Sequence, residues 1–507
     1  MFCRPVVTAP AVVRRDGSVL AGGWLPEFAR LGELERHLGD GVIEAIAGAA
    51  LEAGRLRKRD RRRIMSYPLV IRLMLAMSLM PDASYGEALA RVAGLLADVP
   101  FALEWHVPTS KVVTEWRLLI PADVMQDLFW QAAGPLIGDD EPSAVTLAGL
   151  AVLAADGMMV NLADTPANRA MFGSTGTADG SAPFPQLRVV ALTARAGRAL
   201  LGAVLGSGAA GEQTLLKRLA RRRPELFAGR VTCFDRNFPG YGLIAAILAA
   251  GGHVVARVSA TVALPLAPGG GWLPDGSRLT WLNAPSGRKE DRLPVRVTEH
   301  NAVMPAVGRG SAQVSETCTV ITTLLDHRAA PAGQVREAYL TRWSASETTF
   351  GEDKATITGA GNRTSGPVLR SGSPRLVIQE AWAWLTATQL TRASAAAALR
   401  SEHAAARAAH RRNRAPVAAD EESFTAARHH MIRSMTSTQV TAASSLEALN
   451  ATADSAARAI LRVLNIPGRQ RHSRRAQKAG PKFPHATATK PTVTGKPQVT
   501  VFAPGFS

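Results

Sequence analysis

Two aspartates stand where strand-like apolar runs end, Asp156 in AADG and Asp235 in CFDRNF. If those strands are neighbours in one sheet, the two carboxylates converge at its edge. Hard oxygen ligands at such a point favour Mg²⁺ over softer metals. A third carboxylate on a helix packed nearby would complete a two-metal site. Its ions, ~4 Å apart, would activate an attacking oxygen and stabilise a leaving one. Taken alone, each Asp reads more simply as a turn or cap residue. The histidines, His429 and His430 included, show no convergent metal spacing. Cys3, Cys233 and Cys318 are far apart and contain no CxxC pair, which indicates neither a disulfide framework nor a cysteine zinc site.

The elements around the aspartates decide whether they can meet. AVTLAGLAVLAADG is an apolar run stopped by Asp and Gly, and LRVVALTARAGRALLGAVLG reads as two strands joined at Ala196 and Gly197. GEQTLLKRLARR is helical, GRVTCFDRNF is a strand ending in Asp235, PGYGLIAAILAAGG is a helix closed by Gly251 and Gly252, and HVVARVSA is a strand. Three strands able to form a meander, followed by alternating helices and strands, are what a ribonuclease-H-like mixed sheet requires.

Upstream, apolar positions recur at three and four, so residues 31–138 read as a helical unit. It carries the basic run Arg55, Arg57, Lys58, Arg59, Arg61, Arg62 and Arg63, then the helix-turn-helix-like MPDASYGEALARV, then TSKVVTEWRLL. Lys111, Thr114 and Arg117 in that last stretch are spaced as a polar stripe. Lys111 and Arg117 are therefore candidate DNA contacts, although any surface helix offers such a stripe. Residues 259–325, rich in Gly and Pro, read as a β-rich insertion. Within 326–400 helix resumes around Val335 to Lys354 and again at Pro374 to Arg392, with GNRTSGPVLRSGSP between them as a loop, and 401–466 reads as an Ala-rich helical region. The tail, 467–507, is basic and rich in Pro and Thr, a composition expected to stay disordered unless bound.

With 507 residues the chain suggests several units with at least one sizeable core. A hydrophobic share of 46% against a charged share of 20% excludes wholesale disorder. The net charge of +18 attracts polyanions, nucleic acid foremost, with a solvated basic surface as the plainer reading. No stretch reads as a secretory signal. The apolar runs Leu69 to Met80 and Ala144 to Ala155 are too short to span a bilayer, so a cytoplasmic, nucleoid-associated location with no membrane is expected.

Four strings, AADGMMVNLADTPANRAMFG, FPQLRVVALTARAGRALLGAVLG, FDRNFPGYGLIAAILAAGGHVVARVSA and VITTLLDHRAAPAGQVREAYLTRWSASETTFGEDK, resemble in order the catalytic domain of insertion-sequence-four family DDE transposases. The helical region from Arg61 to Leu136 resembles that family's N-terminal domain, and LRSGSPRLVIQEAWAWLTATQL the segment after its catalytic helix. The family's third carboxylate lies in a Tyr-x-x-Arg-x(3)-Glu-x(6)-Lys signature. Tyr339, Arg342, Glu347 and Lys354 match its residue types and its Glu-to-Lys gap, but four residues separate Arg342 from Glu347. Strict counting lands on Ser346, which cannot be an anionic ligand, so the role falls on Glu347. Asn237 stands where the family usually has Gly, a mild departure because Asn tolerates the left-handed conformation.

The resemblance implies a mixed α/β, ribonuclease-H-like catalytic domain split into 144–258 and 326–400, preceded by a helical DNA-binding domain and an N-terminal extension over 1–30. It implies a transposase that cleaves transposon ends and joins them to target DNA. Asp156, Asp235 and Glu347 would hold two Mg²⁺ ions, with Mn²⁺ as a substitute. Tyr339, Arg342 and Lys354 would hold phosphates, with Arg236 and Arg257 as weaker DNA contacts. Trp272 and Trp281 lie in the region where the family stacks a flipped base, although a strand Trp is more often core. A homodimer on paired ends is expected. The alternatives are a catalytically inactive transposase-derived DNA-binding protein and a nuclease of the same fold that cuts without joining. Asp164, Asn168 and Glu212 lie in family-like strings without an assigned role; Asp164, before Thr165 and Pro166, reads as a turn former.

Overall fold

The computed structural model describes residues 12–13, 19–20, 33–39, 41–57, 65–93, 108–134, 146–173, 184–194, 198–259, 262, 264–267, 271–307, 313–342, 368–408, 424–436, 492–493 and 498–501. A short hairpin pairs β1 (Val12–Val13) with β2 (Val19–Leu20). Six helices come next: α1 (Glu33–Leu38), α2 (Val42–Glu52), α3 (Tyr67–Leu79), α4 (Tyr85–Ala93), α5 (Ser110–Leu119) and α6 (Ala122–Ala133). Their starts show why they begin where they do. The Ser66 hydroxyl accepts from the Leu69 N–H and Thr109 from Val112, while Ser84 and Glu87 exchange hydrogen bonds as a capping box.

The sheet begins with β3 (Thr146–Leu147) and β4 (Leu150–Leu162), a 13-residue strand. Helix α7 (Pro166–Phe172) leads to β5 (Gln186–Ala194) and β6 (Leu200–Ser207), both antiparallel to their predecessor. Then come α8 (Glu212–Arg222), β7 (Arg230–Phe234), α9 (Tyr241–Ala249) and β8 (His253–Arg257), with β7 parallel to β4 and β8 parallel to β7. The spatial order β6-β5-β4-β7-β8 makes a mixed α/β sheet, in the element order expected from the sequence.

The segment expected as a β-rich insertion continues this sheet. Strands β9 (Arg278–Leu282), β10 (Leu293–Val307) and β11 (Gln313–Thr322) pair antiparallel, and β11 joins β8 through Val320↔Arg257. Buried Arg296 on β10 ties the extension to the chain between β11 and the next helix. Its guanidinium lies 2.8 Å from Asp275 and 3.0 Å from the Leu324 carbonyl, and it also donates to the Ala330 carbonyl. Asp275 in turn accepts from the Ala332 N–H at 2.9 Å, which fixes the start of α10 (Ala332–Arg342).

The remaining elements are β12 (Val368–Leu369), α11 (Pro374–Ala408), α12 (Phe424–Thr436), β13 (Thr492–Val493) and β14 (Gln498–Val501). Helix α11 runs unbroken for 35 residues and locks the N-terminal helices to the sheet. Its buried Gln379 donates to the Arg117 and Ile120 carbonyls, and Gln389 accepts from the Leu200 N–H. The tail corrects one expectation. Instead of lacking structure throughout, it supplies β13 and β14, which pair with β10. The alternating, β-branched QVTV fits an open sheet edge and outweighs the disorder-prone composition around it.

The sheet is covered on both faces. Leu153, Ala155, Phe234, Phe238 and the apolar sides of α8 and α9 fill one face. Val152, Val231, Cys233, Val255 and Val320 pack against Val335, Ala338 and Tyr339 of α10 on the other. No helix among the described residues is long and apolar enough to cross a membrane.

Buried His300 on β10 gives a test of this core. Burial, aided by Arg336, lowers its imidazole to about 4. At pH 7 both folded and unfolded forms are neutral. Below about 6.5 the unfolded form takes up a proton that the buried ring refuses until about pH 4, so stability is lost across that window by up to about 3 kcal/mol. Chemical denaturation from pH 7 to 4 should show this loss in the wild type and a shallower one in His300→Gln. Equal slopes would mean that the ring is solvated.

Candidate active site at the sheet edge

Side chains alternate between faces along a strand, and this places the two aspartates. Ala154 pairs with Cys233 across the parallel β4 and β7, so Asp156 and Asp235 each stand two residues further at the same level of the sheet. Asp156 therefore shares a face with Val152, and Asp235 with Val231 and Cys233. That is the face covered by α10. Each carboxylate is steadied by a neighbouring backbone amide: Asp156 Oδ1 accepts from the Gly157 N–H at 2.8 Å, and Asp235 Oδ1 from the Arg236 N–H at 2.6 Å.

Helix α10 brings two residues of the expected signature to this edge. Arg342, 2% exposed, places Nη1 3.6 Å from Asp156 Oδ2 and stacks its guanidinium 5.7 Å from the Tyr339 ring centroid. Tyr339 is buried, which pushes its phenol up to about 12 against the opposing pull of Arg342, so it is a neutral hydrogen-bonding group at working pH. Glu347 and Lys354, the other two signature residues, lie outside the described residues. Among the described residues no group of three His, Cys, Asp or Glu side chains could hold a metal ion.

Glu212, which the sequence left without a role, lies behind this edge. Gly157, on the opposite face from Asp156, leaves the room: a Cβ there would sit 2.6 Å from the Glu212 carboxyl carbon. Arg188 of β5 holds Glu212 with Nη1 2.8 Å from Oε1. Burial raises the Glu212 carboxyl above the usual range, Arg188 opposes the rise, and Asp156 and Asp235 add to it. The Gly after Asp156 was the available signal, since a strand glycine often marks a close approach.

The other expected site residues separate. Arg236 is exposed beside Asp235, and Arg257 is half-buried at the end of β8. Trp272 and Trp281, 45% and 37% exposed, lie on the sheet extension rather than in its core. Asp164, between β4 and α7, pairs with Arg169 at 2.5 Å, and buried Asn168 donates to the Ala163 and Ser371 carbonyls as a structural strut. Lys111 is exposed on α5, whereas Arg117 is 4% exposed. Arg117 corrects the expected stripe. It faces α11 and donates to Gln379 Oε1 (3.0 Å), Ser371 Oγ (3.2 Å), the Leu376 carbonyl (3.3 Å) and the Tyr85 hydroxyl. The face of α5 that carries it, with Val113 and Trp116, is the packed one.

A family model described as Insertion element 4 transposase N-terminal matches residues 29–130. The chain is also 29% identical over 250 residues to Transposase InsG for insertion sequence element IS4 of Escherichia coli (strain K12). Over these stretches the chain is similar to IS4 transposases. The 250-residue stretch is 48% of this chain, and the chain spans about half, 52%, of the curated relative's length. A cryo-EM structure of a piggyBac transposase synaptic complex with hairpin DNA is similar with a TM-score of 0.41 and 10% identity over 84% of each chain. The N-terminal match runs from α1 into α6 and includes α5, which carries Lys111 and Arg117.

Arg117→Ala should lower stability by about 2–3 kcal/mol, because buried acceptors on Gln379, Ser371 and Leu376 lose their donor. DNA affinity per folded molecule should not change. Urea denaturation and a salt titration of DNA binding check both halves. A salt slope flattened by about 0.9 with stability intact would restore Arg117 as a phosphate contact.

Proposed function

We propose that this chain is a DDE DNA transposase that cleaves transposon ends and joins them to target DNA. The observation that carries this reading is the parallel register bringing Asp156 and Asp235 to one face of one sheet edge. The order β6-β5-β4-β7-β8, with β5 antiparallel and β7 and β8 parallel to β4, is the arrangement of a ribonuclease-H-like sheet and supports the same reading.

The donors fit a hard divalent cation: two carboxylates side by side, each oriented by a backbone amide, with Glu347 following α10 on the chain. Asp156, Asp235 and Glu347 would hold two Mg²⁺ ions, or Mn²⁺, which when bound supply charge neutralisation at the attacking and leaving oxygens. In the first reaction water attacks the phosphorus at a transposon end, the bond to the 3′ oxygen breaks, and a 3′-hydroxyl and a 5′-phosphate result. In the second that hydroxyl attacks a target phosphodiester, whose own 3′ oxygen leaves. Arg342 serves as a cation beside Asp156, balancing the carboxylates before substrate arrives and turning to a phosphate oxygen when it does. Tyr339 stays protonated and donates to the same backbone, and Lys354 adds a mobile positive charge.

Arg236, Arg257 and Lys111 are proposed as further contacts to the DNA. The exposed rings of Trp272 and Trp281 can each stack an extruded base, worth ~1–3 kcal/mol. Synapsis of two ends calls for at least a dimer.

Asp156→Asn, Asp235→Asn and Glu347→Gln should each abolish Mg²⁺-dependent cleavage of end DNA while binding stays within a few-fold, since shape is kept and one anionic ligand is lost. Glu352→Gln should retain most activity. Gel assays of nicking and of joining with pre-cut ends read both steps. Normal cleavage by Glu347→Gln with loss in Glu352→Gln would move the third ligand, and cleavage without joining would make the protein a nuclease.

A further inference from the structure

Helix α8 connects the two parts of the molecule that the proposed function needs. Its first residue, Glu212, lies behind the aspartate edge, and Gln213 donates to the Asn237 carbonyl, 3.0 Å away, in the loop after Asp235. Eleven residues long, it covers ~16 Å at 1.5 Å per residue. Just past its end, the Arg223 guanidinium stacks 4.1 Å from the ring centroid of Trp130, on α6 of the helices matched by the family model. The helix thus bridges the aspartate edge and the N-terminal helices.

Its inner side is apolar, with Leu215, Leu216, Leu219 and Ala220 buried. Its outer side carries Lys217, Arg218, Arg221 and Arg222, of which the three arginines are exposed and Lys217 is half-buried. None of the four makes an ion pair among the described residues, and the helix's one acid, Glu212, is held by Arg188. The Lys217 side chain runs beside Gly242 at the start of α9, where a Cβ would be in ordinary contact with it at 3.7 Å. Gln213, Lys217 and Arg221 succeed one another at i+4, ~6 Å per step along the axis. Exposed Arg236, next to Asp235, stands at the aspartate end of this row. Four like charges on one short helix repel one another, a cost that a bound polyanion removes.

We propose that the outer side of α8 is a phosphate track for duplex DNA, holding the transposon end between the segment gripped by the N-terminal helices and the phosphate cut at Asp156 and Asp235. This rests on the transposase reading. The contacts are to backbone and carry no sequence information, so the track sets the path and distance of the end rather than its identity.

The test uses the full-length protein with Lys217→Gln, Arg221→Gln and Arg222→Gln combined, and with Arg222→Gln alone. Log affinity for end DNA against log salt should flatten by roughly two to three units of slope in the triple variant and by about 0.9 in the single one. Hydroxyl-radical footprints should lose protection between the recognition segment and the cut site and keep it elsewhere. A control removing exposed Arg328 and Arg375 should leave the slope and footprint unchanged. An unchanged slope in both α8 variants overturns the track. So does equal flattening in the control, which would mark a diffuse field, and so does loss of protection on the target side alone. A wild type that binds ends but never cleaves with Mg²⁺ would sink the transposase reading instead. A wild type that cleaves, with slopes untouched by the variants, would sink this surface alone.

Discussion

The parallel register between β4 and β7 is the constraint on which the candidate site depends. A one-residue slip of either strand would turn its aspartate to the opposite face, against the apolar sides of α8 and α9. The observed pairing, Ala151↔Arg230 through Ala154↔Cys233, holds both on the α10 side. The register is itself enforced by burial. Leu153 and Ala155 belong to one core, while Val152, Val231 and Cys233 belong to the other, so any slip would expose apolar groups and bury polar ones.

Two carboxylates at one edge repel each other, and the surroundings answer that repulsion in two ways. Arg342 comes from α10 on the same face, and the Arg188–Glu212 pair backs the edge from the other. Helix α10 is placed by the sheet extension rather than by the aspartates, through Asp275, Arg296 and the Ala332 N–H. Strands read from sequence as an addition to the catalytic sheet therefore position the helix that supplies its basic residue.

Much of this was legible in the sequence. Apolar runs closed by Asp, Gly or Pro marked β4 to β8 and the helices between them, because sheets buried on both faces need such runs. Asp156 and Asp235 stood out for the same reason, each an abrupt charge at the end of a buried strand. Arg117 was misread because spacing records that a residue is polar but not whether its side is packed, and only α11, far along the chain, covers it. Glu212 was missed because its partners, Arg188 and the space above Gly157, come together only in the folded sheet. Strands β13 and β14 were hidden by the basic, Pro-rich composition around four alternating residues.

The central claim is that Asp156 and Asp235 hold the same metal centre. Replacing Mg²⁺ with Fe²⁺ and adding peroxide generates radicals that cut the polypeptide beside the bound ion. Mapping those cuts by mass spectrometry tests the claim most directly. The account predicts two cut sites, one in the Ala155–Gly157 segment and one beside Asp235, appearing together and suppressed together by excess Mg²⁺. Cuts at only one of them, or cuts that Mg²⁺ leaves unchanged, would contradict it.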